Sequence, residues 1–304
     1  MGLLTFIKNR LHQRHIHPRR WLKGLVAYSR YVGYVQPALL TDSAEEYQVR
    51  RQLVAPGWGY RQLTAPVGKR LLVLSPHPDD ESIGPGGLLW AHRASAEIHL
   101  VTFSQGDAGG SLGAGESDMT AVRRAELSRT AQALGARSTH SFAYRDGQIP
   151  VTAAAVADVR AVVERIQPDV VLLPWFLDNH MDHSRVNLLY ATACPDREAL
   201  VLGYEVWRML EPNAVFDITP HLAGKLDLVR NYPSQLRTVD YLSYVEGLAR
   251  VRAYHAGIDA RRSGAMEAFV ALPNQEYCEL VRRLYGTPEQ LTPTGRRLMG
   301  LGLS

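Results

Sequence analysis

Two short clusters of ionisable residues stand out in this 304-residue chain. The first is His77-Pro78-Asp79-Asp80-Glu81; the second runs Asp178-Asn179-His180-Met181-Asp182-His183. Imidazole and carboxylate groups are what bind a divalent metal and move protons near neutral pH. His77 and Asp80 lie three residues apart, a spacing that lets both converge on one cation while Asp79 points to another side and Pro78 restricts the backbone between them. Alone, HPDDE would equally suit acids complementing the first turn of a helix. Two histidines and two carboxylates within six residues of the second cluster argue against simple packing. His77, Asp80 and one histidine of the second cluster would give two nitrogens and one oxygen, the donor set of an open catalytic zinc site. Asp79 and the other histidine would then supply acid–base chemistry.

The elements that must carry these clusters are legible from hydrophobic pattern. Arg70–Ser75 is a continuous apolar run that reads as a buried parallel strand, with a helix expected over Gly84–Ala94. Strands follow at Glu97–Phe103, Thr139–Tyr144, Asp169–Pro174, Ala199–Trp207 and Phe216–Thr219. Helices are expected at Asp118–Leu134, Val156–Ile166, Ser184–Thr192 and from His221, and the chain after Ser234 reads as mainly helical to about Ala256. This alternation argues for an α/β three-layer sandwich with a mostly parallel sheet. Each cluster directly follows a buried strand, so both fall on one rim, where open α/β sheets bind ligands.

Composition narrows the class. At 46% apolar and 21% charged residues, the chain is neither collagen-like nor disordered. No run approaches the roughly 18 apolar residues of a membrane-spanning helix. Cys194 and Cys278 are the only cysteines, which excludes a disulfide scaffold or a cysteine-rich zinc module. Before Asp42 there are seven basic residues and no acid, leaving 27 of the 34 basic residues against 30 acidic ones in the remainder. A body of net charge −3 disfavours nucleic acid as a partner. Residues 1–68 therefore read as a basic N-terminal helical extension and 69–304 as the enzyme domain. The extension, with Trp21, Tyr28, Tyr31 and Tyr34, suits either packing on the body or peripheral contact with an anionic membrane surface. The expected location is cytoplasmic, with the inner membrane face as the place of such contact.

HPDDE at 77–81 and HxDH at 180–183 make the chain resemble the PIG-L or LmbE-like zinc-dependent de-N-acetylases. Arg123-Arg124-Ala125-Glu126-Leu127, Leu134-Gly135, Asp146-Gly147 and Ser234-Gln235 extend the likeness, in matching order, over about 69–275. The resemblance implies a Rossmann-like fold and removal of the N-acetyl group from an N-acetylglucosamine-type sugar or glycoconjugate. It also implies one Zn2+ per chain, held by His77, Asp80 and His183, with Fe2+ accepting the same ligands. Asp79 would be the general base, His180 the acid or oxyanion stabiliser, and Asp182 an orienting carboxylate behind the histidines. Arg123 and Asp146 match positions that hold sugar hydroxyls in relatives. Asp178 departs from members that carry a tyrosine there, and an acid at this place is expected to bear on which substrates bind.

Other readings compete. Two histidines and a carboxylate also form the facial triad of iron(II) oxygenases, although those commonly use HxD on a different fold. Gly84-Pro85-Gly86-Gly87 follows a strand, but GxGxxG would require glycine where Leu89 stands, so close helix packing is the better account. A zinc amidase on a non-sugar acyl-amide and a silent glycan-binding relative stay open. Ser104–Gly110 is expected to form a loop over the rim. Trp58 and Trp175 could stack on a sugar, with burial the simpler fate.

Overall fold

The computed structural model describes residues 61–65, 67–113, 115–256 and 264–301. The readings placed on the basic extension and on Trp58 lie outside these residues. All of the described residues belong to one compact unit, Gln52–Ser304. Among them, no helix is long and apolar enough to cross a membrane.

The chain builds one eight-stranded sheet from β1 (Arg61–Leu63), β2 (Arg70–Ser75), β3 (Glu97–Ser104), β4 (Ser138–Tyr144), β5 (Val170–Pro174), β6 (Leu200–Tyr204), β7 (Ala214–Asp217) and β8 (Met266–Pro273). Their order is β1-β7-β8-β6-β5-β2-β3-β4, and only β8 runs against its neighbours. Helices fill the connections: α1 (Asp80–Ile83), α2 (Gly86–His92), α3 (Met119–Ala133), α4 (Ala153–Ile166) and α5 (Met181–Ala193). The C-terminal part adds α6 (Leu222–Arg230), α7 (Pro233–Leu236), α8 (Tyr241–His255), α9 (Asn274–Tyr285) and α10 (Pro293–Leu298). This is the expected α/β class, a mostly parallel sheet flanked by helices.

The uninterrupted apolar runs of β2 and β5 have one cause: helices cover both faces of the sheet there. Leu71, Leu72, Val73, Val171, Leu172 and Leu173 are all fully buried, each such side chain contributing roughly 1.5–3 kcal/mol. Side-chain caps start two of the helices. Asp118 accepts the Thr120 N–H at the start of α3, and Thr152 accepts the Ala155 N–H at the start of α4.

Three elements differ from the sequence expectation. The helix expected over Gly84–Ala94 is α2, Gly86–His92, and a short helix that was not expected, α1, precedes it and is set off from it by Gly84-Pro85. β1 pairs in parallel with β7, so the sheet begins inside the segment assigned to the 1–68 extension; a three-residue strand is too short to show a period. β8 lies in the interior of the sheet between β6 and β7, in a stretch for which no element was expected.

The glycines after β2 serve packing. A Cβ on Gly84 would stand 2.2 Å from the Tyr204 ring, and one on Gly87 would stand 2.6 Å from Ile218. At the N-terminus of α2 the Glu267 carboxylate accepts the N–H groups of Gly87 and Leu88 at 2.7 and 2.8 Å.

Candidate metal centre

β2 lies between β3 and β5, so the chain winds outward on both sides of it. This is the switch point at which an open sheet leaves a crevice at its carboxyl edge. His77 to Asp80 follow the end of β2 directly, and His180 caps the N-terminus of α5 shortly after β5. The pairing of β2 with β5 therefore places both clusters side by side.

The two adjacent aspartates are turned apart by the backbone. Asp79 has φ of 122°, a conformation that costs a non-glycine residue roughly 1–3 kcal/mol. Its surroundings hold it there. The Asp79 N–H donates to Glu81 Oε2 at 3.1 Å. Arg123 Nη2 donates to the Pro78 carbonyl and meets Asp79 Oδ2 at 3.1 Å. Asp80 instead faces the histidines.

Asp80 Oδ2 lies 3.3 Å from His77 Nδ1 and 3.5 Å from His183 Nε2. Ligand bonds of about 2.0–2.1 Å at a tetrahedral angle separate donor atoms by about 3.3–3.4 Å, so the spacing fits one zinc-sized cation. Both ring nitrogens of His183 are buried, and Nε2 faces no protein group closer than Asp80 Oδ2, itself on the candidate ion's side. A nitrogen of His180 lies within 4.8 Å of nitrogens of His77 and His183, so it borders the same space.

Each of the two candidate ligand histidines, His77 and His183, has a carboxylate on its far side. His77 Nε2 meets Asp182 Oδ2 at 3.2 Å, and His183 Nδ1 meets Asp178 Oδ1 at 3.3 Å. Such carboxylates fix ring orientation and raise ligand basicity. Asp182 is itself held by the Gly147 N–H at 2.7 Å and by Arg185 Nη1 at 3.0 Å. Asp178 also accepts from the backbone N–H of His180, Trp207 and Arg208. It is fully enclosed, so its expected influence on substrate gives way to a role in the scaffold.

The electrostatics follow from this crowding. Burial lowers the proton affinity of His77, but Asp182 and Asp80 outweigh it and raise the pKa to about 10. Burial likewise opposes, and Asp80 and Asp178 overcome, the rise of His183 to about 9. A site that draws protons so strongly draws a divalent cation for the same reason, and the two compete. Burial pushes Asp79 up to about 7, with Arg123 opposing and Asp80 and Glu81 adding to the rise. Burial, His77 and His183 bring His180 down to about 4. Its Nδ1 accepts the Asp182 N–H at 3.2 Å, which leaves the proton of the neutral ring on Nε2.

The structure brings His77, Asp79, Asp80, His180, Asp182 and His183 together. Arg123 and Asp146 are each engaged within the protein. Arg123 is 2% exposed and is taken up by Pro78, Asp79 and Glu126. The two oxygens of Asp146 accept the N–H groups of Gly106 and Ala108 at 3.0 and 3.1 Å, and so shape the loop after β3. Trp175 is buried. Sequence reasoning missed Arg185, although its place three residues after Asp182 on a helix marks a neighbour.

Comparisons with known proteins agree with this geometry. Residues 72–194 match the PIG-L family model, GlcNAc-PI de-N-acetylase. The diacetylchitobiose deacetylase of Thermococcus kodakarensis is 27% identical over 187 residues, covering 55% of this chain and 70% of that protein. The 1D-myo-inositol 2-acetamido-2-deoxy-alpha-D-glucopyranoside deacetylase of Rhodococcus erythropolis is 32% identical over 154 residues, 41% of this chain and 52% of the relative. This chain thus spans about half the length of the second relative. The N,N'-diacetylchitobiose deacetylase from Pyrococcus horikoshii, solved with its inhibitor, shares the fold at a TM-score of 0.60 and 24% identity, over 78% of this chain and 96% of that one. Both motifs, at 77–81 and 180–183, lie inside the stretch that matches the PIG-L family model.

Proposed function

We propose that this chain is a metal-dependent hydrolase that removes the N-acetyl group from an N-acetylglucosamine-type amino sugar or glycoconjugate. The observation that carries this reading is the meeting of Asp80 with His77 and His183 at the spacing of a single ion, beside a buried Asp79. Two deacetylases of amino-sugar compounds among its relatives support it.

Two nitrogens and one oxygen suit zinc, and iron(II) accepts the same donors. A divalent ion held there supplies Lewis acidity and makes water a stronger acid. Asp79 takes the proton of the attacking water; a carboxylate raised to about 7 can then return it to the departing amine. Arg123 fixes the direction of the Asp79 carboxylate. His180 holds a proton at Nε2 and offers it as a hydrogen bond to the acyl oxygen, as a neutral donor. Asp182 and Asp178 keep the two ligand rings in place.

The test is acetate release from a panel of N-acetylglucosamine conjugates by metal-free, zinc-loaded and iron-loaded protein, with Asp79→Asn alongside. Metal-dependent release, lowered roughly 10²–10⁴-fold in Asp79→Asn, is the expected result. Metal binding without release from any conjugate would remove the amino-sugar assignment in favour of another acyl-amide or a binding role.

A further inference from the structure

Asp79 is held in its positive-φ turn by two groups: Glu81 Oε2 accepts its N–H at 3.1 Å, and Arg123 Nη2 meets its carboxylate at 3.1 Å. Both groups lead to one side chain. The Tyr232 hydroxyl donates to Glu81 Oε1 at 2.6 Å, and the guanidinium carbon of Arg123 stands 5.3 Å from the centre of the Tyr232 ring. Tyr232 occupies the N-cap position of α7 and is 1% exposed, so it is sealed from substrate.

The two contacts act on different parts of the base. Glu81 is fully buried on α1, and the Ser82 hydroxyl that reaches its Oε1 at 2.7 Å comes from the same helix and moves with it. The tether from a separate element is Tyr232. Through Glu81 it fixes the Asp79 N–H, and with it a backbone turn that a non-glycine residue does not hold unaided. Against Arg123, the aromatic face favours the cation. Arg123 Nη1 also meets Glu126 Oε2 at 3.4 Å, and the Ser234 N–H and hydroxyl donate to Glu126 at 2.8 and 2.7 Å. The segment that begins at Tyr232 therefore backs both the main chain and the side chain of Asp79.

Proton transfer demands such support. The carboxylate of Asp79 must face the attacking water while Asp80, one residue on, faces the histidines. A turn that relaxed would carry the base out of reach and leave the ligand residues where they are, and small misplacements of a reacting group are costly.

We propose that Tyr232 is a positioning residue for the general base: its hydroxyl, through Glu81, and its ring, through Arg123, hold Asp79 in the orientation that takes the proton of water. This rests on the deacetylase reading above. Tyr232→Phe keeps the ring against Arg123 and removes the tie to Glu81; Tyr232→Leu removes both. Measured per bound zinc on the conjugate that wild type hydrolyses best, kcat should fall about 10–100-fold in Tyr232→Phe, with KM within about twofold of wild type. Tyr232→Leu should fall further, and the isosteric Tyr232→Phe decides the matter if the leucine variant does not fold. A packing role alone would lower the melting temperature and leave kcat per zinc intact. In an Asp79→Asn background, Tyr232→Phe should cost less than about threefold, because the base it positions is gone. A wild-type kcat in Tyr232→Phe beside an impaired Asp79→Asn overturns this proposal alone. So does an undiminished loss on top of Asp79→Asn, or a change confined to KM. Zinc-loaded wild type that releases no acetate from any conjugate overturns it together with the deacetylase reading.

Discussion

Asp178 stands 3.3 Å from His183 Nδ1, while its second oxygen accepts the backbone N–H groups of Trp207 and Arg208. One carboxylate thereby joins His183, a proposed metal ligand, to the loop after β6. Burial opposes its ionisation, but His183 and the backbone N–H groups of Trp207 and His180 hold its pKa below the ordinary range.

Asp178→Asn keeps the size of the side chain and removes the charge behind His183. Zinc affinity should fall about 10–100-fold, and Asp182→Asn should do the same through His77. Competition against a chelator of known affinity measures both; an unchanged affinity in either variant would deny that carboxylate its supporting role.

Arg123 touches the base, so its loss should be felt in turnover. Arg123→Lys cannot grip Asp79 and the Pro78 carbonyl in the same fork. A misplaced base should lower kcat by up to about 100-fold, with KM nearly unchanged. A variant that raises KM and spares kcat would instead make Arg123 a sugar-binding residue.

The thiols offer a test of burial. Burial pushes Cys194 up to about 11 and Cys278 up to about 12, and the two are 8% and 0% exposed. Neither should react with a disulfide reagent at pH 8 in the folded protein, and both should react in denaturant. Fast labelling of the native protein would contradict the packing of α9 on the end of α5.

Asp169 gives a pH dependence away from the metal. Burial opposes its ionisation, but the N–H groups of Arg70 and Lys69 and the Arg70 guanidinium prevail and lower its pKa. A depressed carboxylate pKa adds stability above the unfolded value of about 3.9, and that stability is lost as pH falls through the folded value. Wild type should therefore melt higher than Asp169→Asn at pH 7, with the gap closing below about pH 3.9. A gap that persists to pH 2 would place the effect elsewhere.

The sequence was most readable where its signal is local. The apolar runs of Arg70–Ser75 and Asp169–Pro174 have no alternative to a two-sided burial, and the residue types at 77–81 and 180–183 name their own chemistry. Register and long-range partners were not readable. Nothing near Asp178 in the chain discloses that it backs His183 and holds Trp207, since Trp207 is brought to it by β6. What Arg123 and Asp146 hold within the protein was also not readable. The structure buries the first against Asp79 and gives the second to two loop N–H groups. The strand at Met266–Pro273 was hidden for another reason: it carries a buried glutamate, Glu267, acceptable because Lys225 lies 2.5 Å away and the first N–H groups of α2 donate to it.

The place of β8 has a consequence for biosynthesis. β1 and β7 leave the ribosome long before Met266, yet the strand that joins β7 to β6 is β8. Until that strand arrives, the two earlier strands have no seat in the sheet, and the N–H groups of Gly87 and Leu88 lack Glu267. Strands β2 to β6 can assemble as the chain emerges, whereas the opposite edge must wait for nearly the whole polypeptide. A nascent chain stalled before residue 266 would thus expose an open edge at β6, the point where a holding chaperone would be expected to act.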